Sequence, residues 1–154
     1  MPNLTAGSRI KAADTPPTVS DSVVPQFTCT NTSFSPNATS SGTTQVCGVS
    51  FIAPTTGRVI IYYDADITNN NASGSTTVAP AVRNGSSVGG GTVFVAASAD
   101  EAITSVGTIR LRAGCHTVVE GLTPGLAYNA VLEHRVGANT GTVRRRRITV
   151  APLT

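Results

Sequence analysis

Residues 57–67, GRVIIYYDADI, constrain the chain more than any other stretch. Val59, Ile61, Tyr63, Ala65 and Ile67 alternate with Arg58, Ile60, Tyr62, Asp64 and Asp66, so one face is apolar throughout and the other turns polar toward its end. This is the pattern of a strand buried on at least one side. Pro54 and Gly57 launch it, and Asn69, Asn70, Asn71, Ser73 and Gly74 end it with turn chemistry.

Further short strands are expected on both sides of this segment. Phe27 and Cys29 share a face in residues 26–31, and Cys47, Val49 and Phe51 share one in residues 45–52, with a polar loop between them. Later strands are expected over residues 76–83, 92–97, 103–112, 115–122, 127–136 and 141–150. Within 103–112, Ile103, Gly107, Ile109 and Leu111 read as inward and Thr104, Thr108, Arg110 and Arg112 as outward. Pro80 cannot donate to a ladder, so its strand is expected to be an edge or to bulge there. About nine strands without a long amphipathic helix predict an all-β fold, a jelly-roll-like β-sandwich.

The 154-residue length suits one domain with a core of its own. Residues 1–25 lack hydrophobic periodicity and carry Pro2, Pro16, Pro17 and Pro25, which predicts an extended N-terminal segment, either a disordered tail or a docking arm, ahead of a head domain over residues 26–154. The opening MPNLTAGSRIKAADTPP holds no apolar core of signal-peptide length, and no run of about eighteen apolar residues occurs, so neither conventional secretion nor membrane association is expected. Asn-x-Ser/Thr sequons at Asn3, Asn31, Asn37, Asn71 and Asn84 then reflect composition.

Only 12% of residues are charged, and the net charge of +3 owes most to four consecutive arginines, Arg144, Arg145, Arg146 and Arg147. Outside that run the balance is near neutral, which does not suit nucleic-acid binding. Strict alternation would send Arg144 and Arg146 to one face and Arg145 and Arg147 to the other, burying two cations in a two-layer sandwich. One face must therefore be wet, paired or in a contact. Glu120 and Glu133 on neighbouring predicted strands are available partners, and Asp64 and Asp66 can pair with the run or hold a cation.

Catalytic chemistry finds little support. Cys115 and His116 are adjacent on a strand and face opposite ways, which gives no nucleophile and base. A zinc site would need four ligands, and no Cys-x-x-Cys spacing exists. Cys29 and Cys47 fall in successive predicted strands and can face each other, although thiols in a reducing cytosol usually stay free. The chain lacks Trp and has seven Phe and Tyr, too few for the stacking surfaces of a carbohydrate-binding module. No cofactor, metal or enzymatic activity is expected. The LTPGLAY stretch, residues 122–128, resembles the corner of fibronectin type III sandwiches, which makes Tyr128 a structural residue reaching back to backbone.

Four blocks, LTAGSRIKAADTPPTV at 4–19, FIAPTTGRVIIYY at 51–63, LTPGLAY at 122–128 and ITVAPLT at 148–154, resemble a family of small virion proteins of actinobacterial bacteriophages, described as capsid decoration or minor tail proteins. The second block also resembles the first buried strand of trimeric jelly-roll heads of the complement and tumour-necrosis-factor type. The resemblance implies a non-enzymatic homotrimer on the particle surface, assembled in the bacterial host cytoplasm, with the major capsid protein or tail proteins as partners. The capsid or assembly contact is then expected on Leu4, Arg9, Ile10, Lys11, Pro16 and Pro17, and the arginine run Arg144 to Arg147 is either a solvated edge or a subunit interface.

Overall fold

The computed structural model describes residues 16–37 and 45–153. Strand β4 (Val59–Asn69) is the longest of the expected alternating segments and lies inside its sheet, hydrogen-bonded to β8 (Leu111–Val119) on one side and β10 (Gly141–Pro152) on the other. Its inward residues Val59, Ile61, Tyr63, Ala65 and Ile67 are all buried, as alternation requires. The far edge of β10 is shared end to end by two short strands. β1 (Val19–Val23) pairs residues 146–150, and β2 (Phe27–Cys29) pairs residues 141–143.

The second sheet runs β3 (Gly48–Ile52), β9 (Ala127–Val136) and β5 (Ser75–Asn84), with β6 (Val93–Val95) and β7 (Ile103–Val106) sharing the far edge of β5. From β3 onward the chain repeatedly crosses between sheets, and all pairings are antiparallel, giving a jelly-roll-like sandwich. Phe27, Ile61, Ile67, Val143 and Ile148 of the first sheet meet Val49, Phe51, Val78, Leu132 and Val136 of the second in one core. Each such side chain contributes roughly 1.5–3 kcal/mol by leaving water.

Pro80 sits on β5 where the ladder tolerates it. β7 pairs residues 75–78 and β6 pairs Val82 and Arg83, so at Pro80 only β9 is bonded to β5. The strand is interior at its two ends and an edge at the proline.

Two sequence expectations change. Residues 103–112 are not one strand: β7 ends at Val106, Gly107 takes φ 83°, and the chain crosses to the other sheet before β8 begins at Leu111. Ile109, read as inward, is 80% exposed, because the crossing breaks the alternation on which that reading rested, whereas Leu111 shares the inward face of Ile67 at the end of β8 and is 36% exposed. Residues 19–23, placed within the docking arm, form β1 in the sandwich, and Pro16 is already buried. Leu4, Arg9, Ile10 and Lys11 lie outside the described residues, while Pro17 is exposed.

Asn69 closes the β4–β5 turn. Its amide donates to the carbonyls of Ser75 and Ala138, both at 3.1 Å, and its Oδ1 accepts from Asn71 N–H at 3.0 Å, so a side chain only 2% exposed leaves neither end of its amide unpaired.

Candidate functional site: an arginine lattice on an open sheet face

The outer faces of the two sheets differ. On the second sheet, the loop of residues 85–91 folds back over β9. The Asn129 side chain clamps it, accepting from Gly89 N–H at 3.0 Å and donating to Gly85 O at 2.9 Å and Gly90 O at 3.3 Å. Among the described residues no loop of this kind lies across the first sheet, whose outer face exposes Tyr62, Gly114, His116, Val118, Arg145 and Arg147.

The arginine run builds the centre of this open face through one irregularity. Arg144 pairs with Asp66 and Arg147 with Asp64, three residues on β10 against two on β4, so the strand bulges between them. Arg145 takes φ 47° at the bulge, its N–H donating to Val24 O at 3.3 Å. The extra residue resets the alternation. Arg144 and Arg147 both point outward, Arg145 is exposed, and Arg146 alone turns into the core. Strict alternation, which would have buried two of the four, is thereby corrected to one.

The partners are aspartates. Arg147 Nε donates to Asp64 Oδ2 at 2.8 Å, and Arg112 Nη2 donates to Asp64 Oδ1. Arg144 Nε donates to Asp66 Oδ2 at 3.0 Å, while Arg110 stands 3.5 Å from Asp66 Oδ1 without forming a hydrogen bond. The Asp66 side chain is 4% exposed, so its carboxylate depends on these cations; the more open pairs on Asp64 are worth roughly 0–1 kcal/mol each. Of the two sets of acids available to the run it is the aspartates that pair with it, and Glu120 and Glu133 are taken by Arg58 at 2.8 Å and Arg83 at 2.7 Å. Five arginines (110, 112, 144, 145 and 147) thus stand against two carboxylates, leaving an excess of positive charge on one face.

Two depressions mark this face. One of about 410 Å³ is lined by Tyr62, Asp64, His116, Arg147 and Thr149 among others, with the Tyr62 and His116 rings 5.9 Å apart. The other, about 350 Å³, is lined by Ser22, Val24, Arg112, Arg145 and Arg147.

Inside, Arg146 is 1% exposed. Its guanidinium lies 4.6 Å over the Phe27 ring and donates from Nη2 to Gln45 O at 2.8 Å, while Nε and Nη1 have no partner among the described residues. Burial pulls its pKa below the usual guanidinium range. His134, on the facing sheet, packs its ring 4.5 Å from Phe27 and hydrogen-bonds through Nε2 to Asn37 O at 2.9 Å.

The remaining candidates occupy separate places. Thr123 N–H donates to the Tyr128 hydroxyl at 3.1 Å, closing the corner five residues upstream. Cys29 and Cys47 are buried free thiols, flanking the two sheets rather than bridged, and burial pushes them up to about 11 and about 12. Cys115 and His116 are both exposed, and the Cys115 thiol contacts the His116 carbonyl at 3.7 Å and the Tyr63 hydroxyl. Among the described residues, no group of three or more His, Cys, Asp or Glu is placed to hold a metal. Local sequence shows Arg110 and Arg112 as outward residues of a strand; their role in the lattice depends on the pairing of β8 with β4, which local sequence does not encode.

No protein-family model and no curated protein matches the chain. Among solved structures it is similar to chains of infectious bursal disease virus, Gt strain (8% identity, 90% of this chain and 34% of that chain, TM-score 0.46) and Gx strain (9%, 90% and 34%, TM-score 0.44). It is also similar to the Eiger TNF of S. frugiperda (12% identity, 90% of this chain and 94% of that chain, TM-score 0.42). The chain spans about a third of the length of the bursal virus chains. At such identities and scores, none of these likenesses bears on what the chain does.

Proposed function

We propose that this chain is a non-enzymatic structural protein of a bacteriophage virion, a capsid decoration protein seated as a trimer on the outer surface of the shell. The resemblance of its four sequence blocks to small actinophage virion proteins supplies the biological setting. The observation that carries the reading is the division of the two sheets. One outer face is covered by its own loop, whereas the other stays open among the described residues, with Tyr62 and Val118 49% and 42% exposed around an ordered arginine lattice. Such a face suits assembly better than catalysis, which needs convergent nucleophile, base and oxyanion donors. In a trimer built on this face the surplus arginines would meet their own copies, so acids of a neighbouring subunit or of the capsid must interleave with them.

The arm of residues 1–25 is the proposed capsid grip. Its strand β1 belongs to the fold, pairing with β10 at the edge of the sheet that carries the open face. A carbohydrate-binding module is disfavoured, because the exposed aromatics Tyr62 and Phe94 stand on different sheets and form no common platform. The deciding experiment is to image purified particles labelled with an antibody fragment against this chain. Label spaced regularly over the shell supports decoration; label confined to the tail moves the protein to a minor tail or fibre role; unlabelled particles remove the virion reading. Removing residues 1–15, which spares β1, should abolish attachment while leaving the head folded.

A further inference from the structure

We propose that the cleft between Arg112, Arg145 and Arg147 binds a tetrahedral oxyanion, a phosphate or sulfate group. The site belongs to the single chain and goes beyond the assembly reading.

The cleft is walled by three guanidiniums, Ser22 and Val24, and no carboxylate lines it. Asp64 lies beside the cleft and fixes two of the cations, taking Arg112 Nη2 on one oxygen and Arg147 Nε on the other. Arg112 then spends Nη1 on Arg145 O at 3.1 Å. The terminal nitrogens of Arg147 and the whole Arg145 guanidinium make no hydrogen bond among the described residues. Planar forks held by one shared carboxylate, with their other edges free, offer several donors to one anion at little further loss of side-chain freedom.

Arg145 supplies the second, independent observation. It and Asn139 are the described non-glycine residues with positive φ, and a left-handed arginine is strained where glycine would not be. The strain is held from both sides, by Val24 O on its N–H and by Arg112 on its carbonyl. A strained residue whose guanidinium makes no hydrogen bond or ion pair among the described residues points to a use outside the fold. Arg58 and Arg83 are each matched by a glutamate, whereas this cleft gathers three guanidiniums around a single carboxylate, which suits a compact dianion better than an extended polyanion.

The test uses the full chain, titrated at constant ionic strength with inorganic phosphate in one arm and glycerol phosphate in another, chloride being the comparator. Binding is read by amide chemical shifts and by calorimetry. Arg145→Gly is the informative variant, because glycine accepts this backbone and the fold should melt no lower than the parent. Its affinity for the anion should fall about tenfold or more. Arg58→Gln, which removes an equal charge away from the cleft, should bind like the parent. Binding in either oxyanion arm that is lost in Arg145→Gly supports the site, and a response to the ester alone assigns the source as a phosphate monoester. No response beyond chloride, an unchanged Arg145→Gly, or an equal loss in Arg58→Gln overturns it. Light scattering in parallel reports subunit association separately, so a failed trimer and a failed anion site are distinguishable.

Discussion

Lowering the pH should unfasten the sandwich at His134. The ring is 1% exposed, tilted against Phe27 in the core, and its Nδ1 has no partner among the described residues, which suits the neutral tautomer carrying its proton on Nε2 toward Asn37 O. Burial first, and the nearby Arg146 charge after it, hold its pKa at about 4, against 6.5 for the free side chain; the bond to Asn37 opposes them. Because the folded value is depressed, this stabilisation is complete above the unfolded pKa and is lost as pH falls from 6.5 toward 4. At about 1.36 kcal/mol per unit, the loss is roughly 2 kcal/mol by pH 5 and roughly 3 kcal/mol by pH 4. Urea denaturation across this range should show it. His134→Gln keeps an amide donor for Asn37 O and removes the titration. Its baseline stability will be lower for lost packing on Phe27, but its curve should flatten by one proton relative to the parent. The carboxylates titrate in both proteins and cancel in the difference. Parallel stability curves for parent and variant between pH 7 and 4.5 would refute the assignment.

Three further outcomes are expected. Arg146→Met should hold or raise stability, by up to about 2 kcal/mol, because it removes two unpartnered buried donors and keeps contact with Phe27; Arg146→Ala should lower it by about 2 kcal/mol or more through the cavity, and urea midpoints separate the two. Gly141→Ala should cost about 1–3 kcal/mol in the same assay, since its Cβ would lie 2.6 Å from Thr76 Oγ1 and 2.7 Å from Val136 Cγ1. Thiol labelling of the native protein should modify Cys115 alone, with Cys29 and Cys47 reacting only on denaturation, as mass spectrometry of the labelled peptides would reveal.

Alternation was a sound guide wherever a strand keeps one neighbour sheet along its whole length. The inward set of β4 is buried as read, and β9 keeps the boundaries expected of it. The guide failed where the chain changes sheets. Between Val106 and Leu111 a period-two pattern runs straight through Gly107, and only the left-handed φ of that glycine reveals that two strands meet there. β1 was missed for a different reason: VSDSV sits between prolines, and it is strand only because β10 offers it an edge. Of the arginine lattice, the local content was legible, namely the run and the two aspartates two residues apart. The contributions of Arg110 and Arg112 were not, since they come from the order of strands across the sheet.

Four identical residues carry no register of their own, so the placement of the run is decided by what it lies against. Without a bulge, two guanidiniums would enter a core already filled by Phe27, His134 and Ile148, each at several kcal/mol of desolvation. One left-handed residue costs about 1–2 kcal/mol and halves that burden, while setting Arg144 and Arg147 against carboxylates spaced two residues apart on β4. The single cation left inside is the one that finds an aromatic face and a carbonyl. The bulge therefore follows from the core's intolerance of charge, and the exposed Arg145 at its apex is the by-product. An arginine at that apex, where glycine or asparagine would relieve the backbone, is the one choice in the run that folding does not account for, and it is the residue on which the anion test turns.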